Sequence, residues 1–236
     1  MEVKVSLSRR LMCLTDMVSQ GLRVVDVGCD HGFVSIYLVQ AGISPSVLAM
    51  DVRTGPLSRA KEHIAQYGLE QYIETRISDG LMAFEVGEAD AMICAGMGGK
   101  LMTKILTDSE KKAKSLKELI LQPQSELPIF RKFLRQEGYK VVEENILCED
   151  GKYYFPMKVV YTGEVQKCEN PLYDEFGELL LTQAHPVLKD YLLERKTAVT
   201  QIIDSLRINE NERAKQRLEE MEVELAKLEQ ALGYYQ

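Results

Sequence analysis

The chain has 236 residues, 45% of them apolar and 28% charged, with a formal net charge of −7, which suits one large α/β domain plus an accessory element and argues against a generally basic nucleic-acid binder. No run of roughly eighteen apolar residues is present, so no membrane-spanning helix is expected, and the opening MEVKVSLSRRLMCL lacks the apolar core of a secretory signal. Five cysteines without a C-x-x-C pair and three histidines without ligand spacing point to reduced thiols, a cytoplasmic location and no metal site.

Residues 6–19 read as an amphipathic helix capped by Ser6, with Leu7, Leu11, Leu14 and Val18 on one face. Arg10 lies at the edge of that face, where it either meets a structural carboxylate or helps to hold the carboxylate of a ligand. Next comes LRVVDVGCDHG (22–32), a buried strand running into a glycine turn and then into a helix from Phe33 to Gly42. Strand, glycine turn and helix N-terminus together form a nucleotide-type site. A dinucleotide fold would carry G-x-G-x-x-G there. This turn reads D-x-G-x-D-x-G, built on Asp26, Gly28, Asp30 and Gly32, with His31 beside Asp30. Carboxylates repel a pyrophosphate but suit a ligand with a sulfonium, an ammonium and a ribose, which is the chemistry of S-adenosylmethionine.

SVLAMD (46–51) is the second strand, and Asp51 at its carboxyl end is placed to take ribose hydroxyls. Gly55 and Pro56 open a helix that runs to Gly68. YIETRISDG (72–80) is the third strand, whose Asp79-Gly80 turn is either an ordinary turn or an adenine-side contact. ADAMICAG (89–96) is the fourth strand; AGMGG (95–99) makes a loop of Ala95, Gly96 and Met97 before the next helix, without the N/D-P-P-Y loop common among exocyclic-amine methylases. LKELILQPQ (116–124) is the fifth strand with its loop, and 125–138 a helix. A strand over 139–150 and another over 151–163 then join at an Asp150-Gly151 hairpin. NPLY at 170–173 reads as a turn outside the site. Five α/β units closed by an antiparallel hairpin give a Rossmann-like, seven-strand sheet of the class I methyltransferase type.

The tail differs. Leu188, Leu192, Arg195, Val199, Ile202 and Leu206, and then Ala214, Leu218, Met221, Leu225, Leu228 and Leu232, repeat at 4-3 spacing. They fit an antiparallel helical hairpin (a coiled coil) turning near Asn209–Asn211, which either stabilises the fold or a dimer, or grips a large substrate. Two domains follow, 1–163 and 164–236. The first carries 20 Lys+Arg against 21 Asp+Glu, the second 9 against 15. Within the first, Lys100, Lys104, Lys111 and Lys112 cluster, as do Arg131, Lys132 and Arg135. These are solvated helix faces or a local phosphate-binding surface.

With LSRRL, DVGCDHG, GP at 55–56, SDGL at 78–81, AGMGG and LILQPQ in order, the chain resembles the bacterial tRNA adenine-N(1) methyltransferases of the TrmK type from about residue 6 to 160. The resemblance implies methylation of adenine 22 of tRNA with S-adenosylmethionine. It implies a cofactor site of Arg10, Asp26, Gly28, Asp30, His31, Gly32, Asp51, Asp79, Gly80, Ala95, Gly96 and Met97, with Asp26 and Asp30 as candidate catalytic acids. Asp51 departs from the glutamate expected in that family. The expected mechanism needs no general base, because adenine N(1) is unprotonated at neutral pH; alignment, water exclusion and negative potential at the nascent cationic base remain. The flipped base could stack on Phe33, Tyr37, Tyr153 or Tyr154, each of which could equally be core. Two alternatives stand beside this reading: a class I methyltransferase for another RNA, protein or small molecule, and a non-catalytic adaptor acting through its hairpin.

Overall fold

The computed structural model describes residues 5–168, 170–208 and 212–236. The chain divides into two compact units between Lys167 and Cys168. The first unit runs α1 (Arg9–Asp16), β1 (Val24–Val27), α2 (Phe33–Gln40), β2 (Val47–Asp51), α3 (Thr54–Gln66), β3 (Ile73–Ile77), β4 (Ala91–Met97), α4 (Gly99–Asp108), α5 (Glu110–Lys114), β5 (Glu118–Pro123), α6 (Leu127–Gln136), β6 (Tyr139–Glu144), β7 (Leu147–Glu149), β8 (Lys152–Tyr154) and β9 (Met157–Tyr161). Seven strands form one sheet in the order β3-β2-β1-β4-β5-β9-β6. The first five are parallel, and β9 runs antiparallel to both β5 and β6. This is the expected Rossmann-like, seven-strand sheet. The strand order reverses between β1 and β4, and a parallel sheet opens its ligand crevice at the carboxyl ends of such a pair.

Strands β1, β2 and β5 are buried along their whole length, because helices cover both faces of the sheet. Side chains alternate between the two layers. Val25, Leu48, Met92 and Leu121 pack with Met102, Ile105 and Phe130 of α4 and α6. Val24, Ala49, Ile93 and Ile120 pack with Leu14, Ile36 and Leu57 of α1, α2 and α3. Each such large side chain contributes about 1.5–3 kcal/mol of burial. The same alternation puts Asp26 on the α2 side, among Val24 and Ile93.

Three local expectations are corrected. Helix α1 starts at Arg9, and its cap is Ser8, whose Oγ accepts the Leu11 N–H at 3.4 Å, rather than Ser6. The Val5 N–H donates to Gln40 Oε1 at 3.2 Å, which ties the lead-in to α2 and keeps it out of the helix. The strands expected over 139–150 and 151–163 are each broken. Strands β6 and β9 extend the main sheet, whereas β7 and β8 pair alone around the Asp150-Gly151 turn. The Asn145 N–H still donates to the Pro156 carbonyl at 3.0 Å, but Pro156 has no N–H to return the bond and Asn145 Oδ1 accepts the adjacent Ile146 N–H, so the regular ladder ends there. The expected NPLY turn is a helix start instead: in the second unit Asn170 caps α7 (Pro171–Phe176), with Pro171 in the first position.

The second unit continues with α8 (Glu178–Thr182), α9 (Pro186–Arg207) and α10 (Glu212–Leu232). Arg207 pairs with Glu222 and Lys196 with Glu229, so α9 and α10 run antiparallel. The turn expected at Asn209–Asn211, like residues 1–4 at the chain start, lies outside the described residues. Leu188, Leu192, Val199 and Ile203 face Ala214, Met221, Leu228 and Ala231 in the buried seam. Ile203 replaces the expected Ile202, which is 38% exposed, and Leu206 is only half-buried. A strict seven-residue repeat drifts about 20° per heptad on a straight helix, so the seam moves over by one residue toward the turn. Arg195 is not a seam residue either; it is exposed and pairs with Glu224 at 2.7 Å. Among the described residues no helix is long and apolar enough to cross a membrane.

Candidate active site

A cleft of about 550 Å³ opens at the carboxyl ends of β1, β2 and β4. Its floor is the turn after β1. The Gly28 and Cys29 N–H groups both donate to the Met50 carbonyl, at 2.8 and 2.9 Å, which pins the turn to β2. Gly28 has φ +78°, which favours glycine, and a Cβ there would lie 2.2 Å from Met97 Cε, so the bare glycine leaves room for the end of the Met97 side chain over the turn.

Asp26 is 4% exposed, and its Oδ2 accepts the Ser35 hydroxyl at 2.6 Å. Burial pushes its carboxyl up to about 6 against the pull of that hydrogen bond, and the Asp51 charge adds to the rise. Asp51 is 5% exposed and is held by backbone donors: the Arg53 N–H to Oδ1 at 2.8 Å and the Asp30 N–H to Oδ2 at 3.4 Å. Asp30 itself sits at φ +48°, with its carboxylate turned outward, 3.6 Å from His31 Nε2. At β3, Ser78 Oγ donates to the Gly80 carbonyl and accepts the Ala83 N–H, which shapes the Asp79-Gly80 turn.

Arg10 reaches the cleft from α1. Nη1 donates to Gln122 Oε1 at 3.0 Å, and the guanidinium lies over the Tyr154 ring at 5.3 Å. Among the described residues no carboxylate pairs with its guanidinium; Glu149 accepts its backbone N–H instead. At the far wall the β4–α4 and β5–α6 loops are clasped. The Gln124 N–H donates to the Met97 carbonyl at 2.8 Å and the Gly99 N–H to the Ser125 carbonyl at 3.2 Å.

Arg10, Asp26, Gly28, Asp30, His31, Asp51, Asp79, Gly80, Ala95, Gly96 and Met97 all line this cleft. Gly32 does not. It caps α2, and a Cβ there would stand 3.1 Å from Ala60 Cβ, so this glycine serves the packing of α2 on α3. Val52, Arg53, Ser78, Leu101 and Gln124 also line the cleft and were not anticipated. The second Gln of QPQ was the available signal for Gln124, since it directly follows a strand in the parallel core. Phe33 belongs to the wall and stacks with His63 at 4.7 Å and His31 at 6.0 Å. Tyr37 is half-buried under α2's neighbours, and Tyr154 lies beneath Arg10. Among the described residues no cluster of three or more His, Cys, Asp or Glu side chains could hold a metal ion.

The basic residues divide sharply. Lys100 pairs with Glu126, Lys104 with Asp108 and Lys112 with Glu85. Lys111 and Lys132 are exposed, and Arg135 is half-buried with a hydrogen bond to the Gln166 carbonyl. Arg131 corrects the expectation of a surface cation: it is 3% exposed and pairs with buried Glu144 at 2.9 Å. Its place beside Phe130 and Leu134 on the inner face of α6 turns it into the interior, where only a carboxylate offsets the lost hydration.

A family model described as a methyltransferase domain matches residues 7–157. A Bacillus subtilis protein named tRNA (adenine(22)-N(1))-methyltransferase is 36% identical over 151 residues, 64% of this chain and 63% of that protein, so the matched part spans less than two thirds of this relative. A candidate tRNA (m1A22) methyltransferase from Streptococcus pneumoniae has a TM-score of 0.84 and 30% identity over 96% of this chain and 100% of that one. A second crystal structure of that protein, in complex with S-adenosyl-L-methionine, has the same TM-score at 28% identity over 96% of this chain and 100% of that one.

Proposed function

The chain belongs to the methyltransferase-domain family, in its group of tRNA (adenine-22-N(1))-methyltransferases, and on that footing we propose that it methylates N(1) of adenine 22 in tRNA with S-adenosylmethionine. One observation carries the reading: Asp26, Asp30, Asp51 and Asp79 surround a single cleft at the strand-order reversal. Four carboxylates repel polyphosphates and attract a cation. The volume lies within the roughly 300–1,000 Å³ of small-molecule sites, so the donor set and the space both fit S-adenosylmethionine.

When bound, the cofactor supplies an electrophilic methyl group. The protein's own groups do the rest. Asp51, fixed by two backbone donors, accepts ribose hydroxyls. Arg10 takes the carboxylate and Asp26 the ammonium. Asp30 is tied by its N–H to Asp51 and serves the ribose side, so Asp26, on the strand next to β4, supplies the negative potential that favours a nascent cationic base. Gly28, His31, Gly80, Ala95, Gly96 and Met97 shape the walls, and no side chain has to remove a proton from N(1). We assign residues 1–163 to catalysis and 164–236 to a helical accessory domain. Exposed Lys111 and Lys132 are RNA-facing candidates, and the protein works in the cytoplasm, where its substrate tRNA is.

The test is methyl transfer from labelled cofactor to unmodified tRNA transcripts, mapped by reverse-transcription stops. A stop at adenine 22, absent from a guanine-22 transcript, is expected. No incorporation by protein that still binds S-adenosylhomocysteine would overturn the substrate and keep the cofactor.

A further inference from the structure

We propose that Gln124 reads the target adenine, its side-chain amide accepting from the exocyclic N6–H and donating to N7, so that N(1) is left free to face the methyl group. The inference rests on the adenine-N(1) reading above.

The last residues of β5 and its loop alternate in their surroundings. Gln122 is fully buried, its Oε1 taken by Arg10 and its Nε2 by the Pro123 carbonyl. Gln124, two residues on, is exposed and lines the cleft, and among the described residues its side-chain amide has no hydrogen-bond partner. A Cβ added to Gly96 would lie 3.8 Å from Gln124 Nε2, which places the amide beside the tip of β4. Asp26 and Asp51, the contacts proposed for the cofactor, line the same cleft, so a base set beside that tip shares the space with the methyl donor.

The amide's base is held firmly. The Gln124 N–H is bonded to the Met97 carbonyl, the Gly99 N–H to Ser125, and the Lys100 N–H to Glu126 Oε2 at 3.2 Å. Glu126 is held at φ +57°, a backbone conformation that costs of order 1–3 kcal/mol and persists where surrounding contacts impose it. The loop is therefore preorganised rather than free to adapt.

Chemistry then selects the edge. The tip of β4 is Ala95, Gly96, Met97, Gly98 and Gly99, with no polar side chain to hold a base. Arg10 offers donors only, and Asp79 acceptors only. Gln124 carries both. N(1) is the attacking atom and must stay unbonded, so the paired donor and acceptor left on adenine are N6–H and N7, and a glutamine amide matches them with two hydrogen bonds. Guanine presents two acceptors at the same edge and leaves the amide oxygen opposed by another oxygen.

The experiment compares the full-length protein and Gln124→Ala on two tRNAs, one with adenine 22 and one with 7-deazaadenine 22, in which a C–H replaces N7. For the unaltered protein, kcat/KM is expected to fall about threefold to tenfold with the deaza base, which removes one of the two hydrogen bonds of a bidentate contact. Gln124→Ala, which removes both hydrogen bonds, is expected to lose more than that on adenine 22, to turn over the two bases equally, and to bind S-adenosylhomocysteine with unchanged affinity. The inference is overturned if the deaza base costs the unaltered protein nothing, if the two losses multiply, or if Gln124→Ala weakens S-adenosylhomocysteine as much as it slows turnover. Failure of the unaltered protein to methylate either tRNA would instead sink the adenine-N(1) reading, and this inference with it.

Discussion

Arg10 and Gln122 stand 112 positions apart in the chain, and Arg10 Nη1 donates to Gln122 Oε1 at 3.0 Å. This one bond latches α1 to the carboxyl end of β5. It also aims a guanidinium that no carboxylate neutralises, among the described residues, along the wall of the cleft. A cation so placed is poised for an anionic group of the ligand.

The first prediction tests that role. Arg10→Ala should weaken S-adenosylhomocysteine by about 10- to 150-fold, the worth of a charge-assisted hydrogen bond at about 1.5–3 kcal/mol. It should leave methylthioadenosine, which lacks the amino-acid part, almost unaffected. Calorimetric titration of both ligands checks this, and equal losses would show that Arg10 only props up the fold.

Asp26 carries the pH dependence. Its carboxyl is raised from 3.8 to about 6 by burial. A raised carboxyl binds its proton more tightly in the folded state, so the stability it contributes is present at low pH and lost as pH rises through about 4 to 6. Asp26→Asn should therefore raise the ligand-free melting temperature at pH 7.5 by a few degrees while it impairs cofactor binding. Affinity of the unaltered protein for S-adenosylhomocysteine should fall as pH drops through about 6, by up to about tenfold per pH unit, and Asp26→Asn should flatten that profile.

Gly99 bears on the clasp at β4 and β5. A Cβ there would sit 2.6 Å from the Ser125 carbonyl oxygen, which is backbone and cannot swing aside. Gly99→Ala should cost about 1–3 kcal/mol in urea denaturation and lower kcat more than cofactor affinity. Gly55 has open space around its Cβ position, so Gly55→Ala should change stability by less than about 1 kcal/mol.

Arg131 and Lys132 are neighbours with opposite expected effects. Arg131→Ala leaves Glu144 buried without its partner and should cost about 3–5 kcal/mol, with little change in tRNA affinity per folded molecule. Lys132→Ala should leave stability alone and reduce the salt dependence of tRNA binding by about one unit of slope. Denaturation curves and salt-dependent binding separate the two.

Much of the site was legible along the chain. Valines followed by a glycine turn identify a buried strand entering a helix, and the acids at the ends of the first three strands mark one crevice because parallel strands all end on the same side. Alternation and helical spacing act over a few residues, so α1 to α4, α6 and the five parallel strands could be read without contacts, whereas the short α5 could not. Element ends were less legible. Ser6 and Ser8 have the same capping chemistry, and only the Val5–Gln40 bond decides between them. Pro156 announced an interruption, but the separate β7–β8 pair depended on Asn145 turning its amide onto the backbone.

Tertiary structure alone decided what each polar group is for. Asp26 and Asp30 look alike in sequence, yet one lies under α2 against Ser35 and the other faces outward, so one has a raised carboxyl and the other does not share its burial. Arg131 looks like a surface cation until Glu144, on β6, is brought beside it in the interior. Gln122 and Gln124 are identical residues two apart; one is consumed by Arg10 and the other is left facing the cleft. Burial, proton affinity and hydrogen-bond satisfaction depend on atoms contributed by distant segments, and local pattern cannot encode them. The sequence by itself settled the sheet, the crevice and the chemistry gathered there; packing settled which atoms remain free to use it.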